Sequence, residues 1–242
     1  MPEQGVNLSL SRRVVAELLG TLLLVAAVVG SGIMGDRLAS GNVALALLAN
    51  TLATGAALVA LIMAFGPVSG AHLNPVVSVM DALERGLPWA EVPHYVAAQI
   101  TGGIAGAMIA HLMFGLPVFS LSTHVRSGPA QVFSEFVATF GLMCVIWGCS
   151  RLRSAGVPLA VGAYITAAYW FTASTSFANP AVSIARCLSN TFAGIRPRDV
   201  PWFVLAQFAG GFAATLLFRW LVPGLQRRAK DVLAVHDSPI AS

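Results

Sequence analysis

Two Asn-Pro dipeptides, Asn74-Pro75 and Asn179-Pro180, lie inside apolar stretches of the chain, where a polar residue and a helix breaker are unexpected. Lipid cannot hydrogen-bond an Asn side chain or a freed backbone group. An Asn-Pro at membrane depth must therefore be buried in protein or line an aqueous cavity. Because the two dipeptides are more than a hundred residues apart, they suggest a duplicated half built around a pore.

The chemistry of Asn-Pro favours the start of a helix. Asn is a strong N-cap, and Pro costs little in the first helical turn. We predict two half-helices, 74–83 and 179–190, each roughly 15 Å long at 1.5 Å per residue. Placed end to end they reach roughly 30 Å, the apolar thickness of a bilayer. Two positive dipole ends would then meet at the midplane and repel cations, including hydronium, while the Asn amides donate to a passing solute.

The composition indicates a multi-pass membrane protein. The chain is 57% hydrophobic and 10% charged, whereas soluble domains carry about 25% charged residues. The net charge of +4 does not indicate a nucleic-acid partner. Basic residues cluster before the first span and after the fourth and last, so the positive-inside rule places both termini in the cytoplasm. We expect an integral protein of the inner (plasma) membrane whose surroundings are the lipid bilayer.

The apolar runs predict an all-α membrane protein with six transmembrane helices plus two half-helices in an inverted repeat. Glu17 and Glu135 lie near the start of the two halves, and Gln99 and Gln207, each followed three residues later by Gly-Gly, lie in the last span of each half. The predicted organisation is an N-terminal cytoplasmic segment 1–11, a first repeat 12–115, a connecting loop 116–129, a second repeat 130–222 and a cytoplasmic tail 223–242.

These motifs resemble the aquaporin, or major intrinsic protein, family, from about Arg12 to Leu221. The segment from Ser69 to Pro75 matches the first pore loop of the family, and Asn179-Pro180-Ala181 matches the second signature. The resemblance implies a homotetrameric channel whose pore loops are supported by Glu17 and Glu135. We group His72, within the first loop, with these supporting residues, and interpret it as a neutral hydrogen-bonding residue of the pore lining rather than as a proton-sensitive gate.

The chain departs from the family at two motif positions. Val76 replaces the usual Ala of the first motif, which we expect to change packing more than chemistry. Val182 stands where most relatives have an Arg that narrows and charges the outer constriction. Counting back from Asn74 places Thr54 at the second-span position of the same constriction, and we assign Ser176, which lies on the second loop, to the selectivity filter as well. For the fifth span, counting from Pro158 gives Tyr169 and counting from Asn179 gives Ala167; we favour Tyr169.

A constriction without fixed charge predicts passage of larger neutral solutes than water. Val182 in place of Arg resembles bacterial aquaporins that conduct arsenite, so we expect water, glycerol-like polyols and the trihydroxides of arsenic and antimony. Arg186 lies one turn beyond Val182 on the same helix face. It either returns a positive charge to the outer vestibule or ends the helix paired with a loop carboxylate or a lipid phosphate.

Other function classes remain as alternatives. A water-selective aquaporin is the first. A secondary transporter is less favoured, because no Asp or Glu adjoins either Asn-Pro, and a membrane scaffold with a blocked pore is the last. We find no nucleophile–base pair, phosphate loop or metal-ligand cluster, and predict no enzyme, no cofactor and no metal site.

Overall fold

The computed structural model describes residues 8–152 and 154–222, with side chains of residues 151, 152 and 154 left aside. Over these ranges the chain consists of helices joined by turns and loops, with no strand. The predicted tail 223–242 and most of the segment 1–11 lie outside the described residues. The eight helices of the described part are α1 Leu10–Leu38, α2 Val43–Ser69, α3 Pro75–Leu83, α4 Val92–Met113, α5 Pro129–Leu152, α6 Val157–Phe171, α7 Pro180–Arg186 and α8 Val200–Leu221.

The predicted all-helical architecture is confirmed. Among the described residues, α1, α2, α4, α5 and α8 are each long and apolar enough to cross a membrane. Helix α6 is a shorter apolar helix of 15 residues and occupies the place of the predicted fifth span. It is preceded by a single 3₁₀ turn, Ser154–Gly156. The half-helices α3 and α7 begin directly after Asn74 and Asn179.

The second half-helix is shorter than the sequence predicts. It ends at Arg186 rather than at residue 190. The chain continues to Ser189 in tight turns, and the carbonyls of Cys187 and Leu188 accept hydrogen bonds from the amides of Ser122 and Ser120 in the connecting loop. The carbonyls that would accept the next hydrogen bonds of a longer α7 are therefore bound to the connecting loop instead.

The helices of the two halves pack in the same way. Helix α1 lies against α4 in the first half, and α5 lies against α8 in the second. Gly102 and Gly210 make both contacts possible, since a Cβ at either position would clash with a carbonyl of the facing helix, that of Leu18 or Phe136. These close crossings bring the buried glutamates of α1 and α5 within reach of the loops before the half-helices.

Each half-helix also packs against the last span of the other half. Helix α7 contacts α4, and α3 contacts α8. Gly103 on α4 faces Ala185 of α7, while Gly211 on α8 faces Val76 of α3. The halves are therefore interlocked, and α2 packs on α6 along the same boundary.

Candidate functional site

Asn74 and Asn179 are the N-caps of the two half-helices. Asn74 Oδ1 accepts from the amide of Val76 at 2.9 Å, and Asn179 Oδ1 accepts from Ala181 at 2.9 Å and from Val182 at 3.3 Å. Both asparagines have extended backbones, with φ of −156° and −155°. The Pro that follows each one occupies the first turn, where its missing N–H costs nothing. The side-chain oxygens are thus committed to capping, and only the amide nitrogens can serve another purpose.

Those amide nitrogens connect the two halves. Asn74 Nδ2 donates to the carbonyl of Ala178 at 2.8 Å, and Asn179 Nδ2 donates to the carbonyl of Leu73 at 2.7 Å. The exchange is reciprocal, because each Asn holds the residue that precedes the other. A side-chain amide has two N–H groups, and one on each Asn has no acceptor among the described residues. Both asparagines line one cavity, so two N–H donors from opposite halves are available there.

Glu17 holds the loop before α3. Its carboxylate accepts from Ser69 Oγ at 2.7 Å, from the amides of His72 and Leu73 at 2.9 and 2.7 Å, and from Gln99 Nε2 at 2.7 Å. The side chain is fully buried. A buried carboxylate is tolerated only when such donors satisfy it, and these four hold the loop in place.

Glu135 holds the second loop in the equivalent way. It accepts from the amides of Phe177 and Ala178, both at 2.9 Å, and from Gln207 Nε2 at 2.6 Å. Gln207 also donates to Ser183 Oγ at 3.0 Å, which ties the support to α7. The structure thus places both predicted loop-support glutamates as hydrogen-bond acceptors behind the loops.

The loops themselves adopt backbone conformations that these supports must maintain. Ala71 and Leu73 have positive φ angles of 46° and 50°, and Ser176 and Ala178, at the matching distances before the second Asn, have 50° and 48°. Left-handed backbone costs roughly 1–2 kcal/mol for a residue with a side chain. The bonds to Glu17 and Glu135 offset that cost at the residues adjoining the asparagines.

The four residues predicted for the constriction line the same cavity as the asparagines, and none carries a formal charge: Thr54, Tyr169, Ser176 and Val182. Tyr169 donates from its hydroxyl to Thr54 Oγ1 at 3.3 Å and is buried, whereas Ala167 is exposed on the outer face of α6. The structure therefore brings Tyr169, and not Ala167, to the cavity.

Two other predicted residues are packed mainly against neighbouring helices. His72 contributes to the cavity lining, but its ring is only 1% exposed. Its Nδ1 lies 3.1 Å from Ser78 Oγ, and the ring packs against Tyr95. A pore-lining hydrogen-bonding role for the imidazole stays a prediction. Val76 is fully buried against Gly211 of α8, in agreement with a packing role.

Arg186 reaches the cavity but has no carboxylate partner among the described residues. Its Nε donates to the carbonyl of Ala193, and its guanidinium carbon lies 3.4 Å from the centroid of the Phe177 ring. The side chain is 1% exposed and lines the cavity. Within the described residues its Nε is thus bound to a backbone carbonyl and not to a carboxylate, and the vestibule role of Arg186 stays a prediction that its place in the cavity lining supports.

Sequence reasoning missed three features of the cavity and its surroundings. Val77 lines it three residues after Asn74, as Val182 does after Asn179, and the repeat itself could have identified it. Arg126, from the connecting loop, lies over the same Phe177 ring at 5.0 Å, with no sequence signal to place it there. The third feature is an apolar wall that includes Leu24, Val28, Ile62, Leu142, Ile146, Val161 and Ile165.

The described residues outside the cavity add no other chemistry. They hold no group of three or more His, Cys, Asp or Glu side chains that could bind a metal ion. Asp199, just before α8, accepts hydrogen bonds from Arg196 and from the backbone amide of Arg126. Its carboxylate is therefore committed to those partners.

Comparison with known proteins agrees with this geometry. The family model described as major intrinsic protein matches residues 5–176 and 149–240. The chain is 58% identical to aquaglyceroporin AqpS of Rhizobium meliloti (strain 1021) over 88% of this chain and 91% of that protein. It is 32% identical to aquaporin NIP2-3 of Zea mays over 95% of this chain and 74% of that protein.

A solved structure shares the fold. The X-ray structure of the aquaglyceroporin from Plasmodium falciparum superimposes with a TM-score of 0.74 at 20% identity, covering 90% of this chain and 99% of that one. The family match over most of the chain and the 58% identity lead to one conclusion: the chain belongs to the major intrinsic protein family.

Proposed function

We propose that the protein is a passive channel for small uncharged solutes: water, glycerol-like polyols, and the trihydroxides of arsenic and antimony. The observation that carries this proposal is the cavity in which Asn74 and Asn179 present amide donors from opposite halves beside the uncharged side chains of Thr54, Tyr169 and Val182. The relative with 58% identity is named an aquaglyceroporin, which supports the polyol part of the proposal.

The charges around the cavity favour a channel over a coupled transporter. A transporter needs ionisable groups at its central site, but the residues lining this cavity include no Asp or Glu within the described ranges. Glu17 and Glu135 are bound behind the loops. Two half-helix N-termini facing the centre disfavour cations, and donors without a continuous proton path disfavour proton transfer.

The proposal extends to the setting of the channel. Helices of this length and apolarity belong in a membrane, and the family fold supports a multi-pass protein. We propose the inner membrane, cytoplasmic termini and a homotetramer, with support from the basic clusters of the sequence and from the family.

Stopped-flow light scattering of proteoliposomes tests the function. We expect fast volume change under water, glycerol and arsenite gradients, independent of proton and sodium gradients. Empty liposomes and liposomes holding a variant with both asparagines changed to Ala serve as controls. Fast water flux without solute flux would indicate a water-selective channel, and dependence on an ion gradient would indicate a transporter; either result contradicts the proposal.

A further inference from the structure

Two arginines flank one aromatic ring at the α7 end of the cavity. The guanidinium carbons of Arg186 and Arg126 lie 3.4 and 5.0 Å from the centroid of Phe177. They come from different parts of the chain, α7 and the connecting loop, and are 1% and 9% exposed. We call these three residues the mouth cluster. Guanidinium groups stack well on aromatic rings, but the ring does not neutralise their charge.

Neither arginine has a carboxylate partner among the described residues. Arg186 donates to the Ala193 carbonyl, and Arg126 donates from Nε to the Gly194 carbonyl at 2.8 Å and from Nη1 to the Ser174 carbonyl at 3.1 Å. Their bonds are to neutral groups. A buried charge without a counter-ion is costly, so the mouth cluster is electrostatically incomplete as it stands.

The carboxylates of the neighbourhood are already engaged. Asp199 accepts from Arg196 at 2.8 Å and from the backbone amide of Arg126 at 3.0 Å. Glu135 accepts from the second pore loop and from Gln207. Neither is in ion-pair contact with the guanidinium of Arg126 or Arg186. Glu135 attracts both guanidinium groups from a longer distance, so two positive charges share one carboxylate whose oxygens are already hydrogen-bonded, and the mouth cluster keeps an excess of positive charge.

Some hydrogen-bond donors at the mouth cluster and next to it have no partner among the described residues. Arg186 lines the cavity and uses only its Nε for a bond within the described residues. Ser176 lines the same cavity, is 2% exposed, and its hydroxyl has no partner there. A planar guanidinium and a hydroxyl are the groups that bind the oxygens of a small anion.

The neighbouring His124 lies in the positive electrostatic field of the two arginines. Burial lowers the pKa of His124 below its usual value, and the charges of Arg126 and Arg186 lower it further. His124 therefore stays neutral around neutral pH, and it does not add to or compensate the charge of the mouth cluster.

We propose that a small monovalent oxyanion binds at the mouth cluster, where Arg186 and the adjoining Ser176 of the cavity wall hold it. We further propose that an anion bound there obstructs the passage of neutral solutes. The binding part stands on the geometry alone, and the obstruction part rests on the proposed channel function. The site would make solute flux sensitive to the anion composition at this mouth.

Nitrate is a suitable probe, because it is a planar monovalent oxyanion that does not titrate and crosses lipid slowly. Isothermal titration calorimetry of the purified full-length protein, with chloride at equal ionic strength as reference, measures binding. Glycerol flux into proteoliposomes with equal nitrate on both sides measures obstruction. We expect nitrate to bind and to slow glycerol flux, and chloride to do neither.

Variants identify the site. Arg186→Gln should weaken nitrate binding by roughly tenfold or more, the loss expected from one charge-assisted hydrogen bond, and Ser176→Ala should weaken it less. Arg37→Gln is the matched control, since Arg37 also stacks on a phenylalanine, at 5.1 Å from the Phe114 centroid, but is exposed outside the cavity. It should bind nitrate as the unmodified protein does.

The outcomes separate the two parts. Absence of nitrate binding, or equal binding by Arg186→Gln, overturns the site. Nitrate binding without slowed glycerol flux overturns the obstruction. If the protein carries no glycerol at all, the channel proposal fails while the calorimetry still decides the site. Should Arg186→Gln not fold, Ser176→Ala and Arg186→Lys, which keeps the charge but loses the planar fork, replace it; binding unchanged in both contradicts the proposal.

Discussion

The two halves of the channel share a centre and differ at their far ends. At the centre, Glu17 and Glu135 hold the loops, and Asn74 and Asn179 exchange hydrogen bonds across the boundary between the halves. The two backbone amides and the Gln side chain that bind each Glu, and the Asn bonds across the boundary, have counterparts of similar length in the two halves, whereas the bond from Ser69 to Glu17 has none among the described residues. The centre is therefore maintained by residues that the duplication preserved as pairs.

The correspondence between the two halves does not extend to the C-terminal ends of the half-helices. The end of α3 carries Asp81 and Glu84, both buried, with Arg219 at 2.6 Å from Glu84 and His72 Nε2 at 3.5 Å from Asp81. The end of α7 carries Arg186 without a carboxylate partner in the described chain. Glu84 is paired with Arg219, whereas both carboxylate oxygens of Asp81 have no hydrogen-bond partner among the described residues. One half-helix thus ends at buried acidic groups and the other at a buried arginine. We infer that the symmetric centre sets what class of solute can pass, and the unlike ends set what can approach.

The largest expected effect concerns the paired glutamates. Glu17→Gln places an amide opposite four donors, and Glu135→Gln opposite three, so both should destabilise the protein, by about 3–5 kcal/mol. Glu17→Gln should lower the melting temperature of the detergent-solubilised protein more. Thermal unfolding followed by size-exclusion chromatography measures this. Retention of the melting temperature by both variants would contradict the bracing role.

The reciprocal Asn exchange predicts matched effects in the two halves. Asn74→Asp and Asn179→Asp each remove one amide donor to the facing carbonyl and add a negative charge to the centre. We expect each to lower stability by about 1–3 kcal/mol and to cut glycerol flux by a similar factor. Flux and melting temperature of the two variants should be compared side by side. A large difference between them would break the equivalence of the halves.

A smaller effect is expected at Tyr169, which lies in the second half and whose hydroxyl donates to Thr54 of the first half. Tyr169→Phe removes the hydroxyl that donates to Thr54 at 3.3 Å and leaves the ring, so stability should fall by about 1 kcal/mol or less while glycerol flux changes little. Ala167→Ser, on the outer face of α6, is the control. If Tyr169→Phe behaved as Ala167→Ser does in both assays, the hydroxyl would have no role at the constriction.

The smallest effect is the pH dependence at the basic mouth. The pKa of His124 is lowered in the folded protein, so the unfolded chain binds more protons as the pH falls below about 6.5. Stability contributed by neutral His124 is present above that pH and lost below it. We expect a slightly lower melting temperature at pH 5.5 than at pH 7.5, and a smaller drop in His124→Gln. An equal drop in the variant would exclude His124 as its source.

Much of the centre could be predicted from sequence because its signals are local or repeated. The start of each half-helix follows from the chemistry of Asn-Pro, and the bracing residues follow from the recurrence of Glu17 as Glu135. The end of α7 could not be predicted, since it depends on carbonyls of Cys187 and Leu188 accepting from a distant loop. The constraint is tertiary and leaves no periodic pattern.

Side-chain orientations that are set by tertiary packing could not be predicted from the sequence either. Counting along the sequence left Tyr169 and Ala167 as alternatives, because the sequence does not show at which residue the fifth span ends and the loop begins. The contacts of the His72 ring with Ser78 and Tyr95 could not be predicted either, since they depend on how α3 and α4 pack around the first loop. Arg126 joins Arg186 at one ring only because the connecting loop folds over α7.

The uncharged constriction is the central claim, and Val182→Arg tests it most directly. Stopped-flow measurements of glycerol and water flux should be made on this variant and on Val182→Leu, which adds bulk without charge. We expect Val182→Arg to lower glycerol flux roughly tenfold or more, equivalent to about 1.4 kcal/mol of added barrier, and to lower water flux much less. Val182→Leu should have a small effect on both. Equal loss of glycerol and water flux in Val182→Arg, or no loss of either, would contradict it.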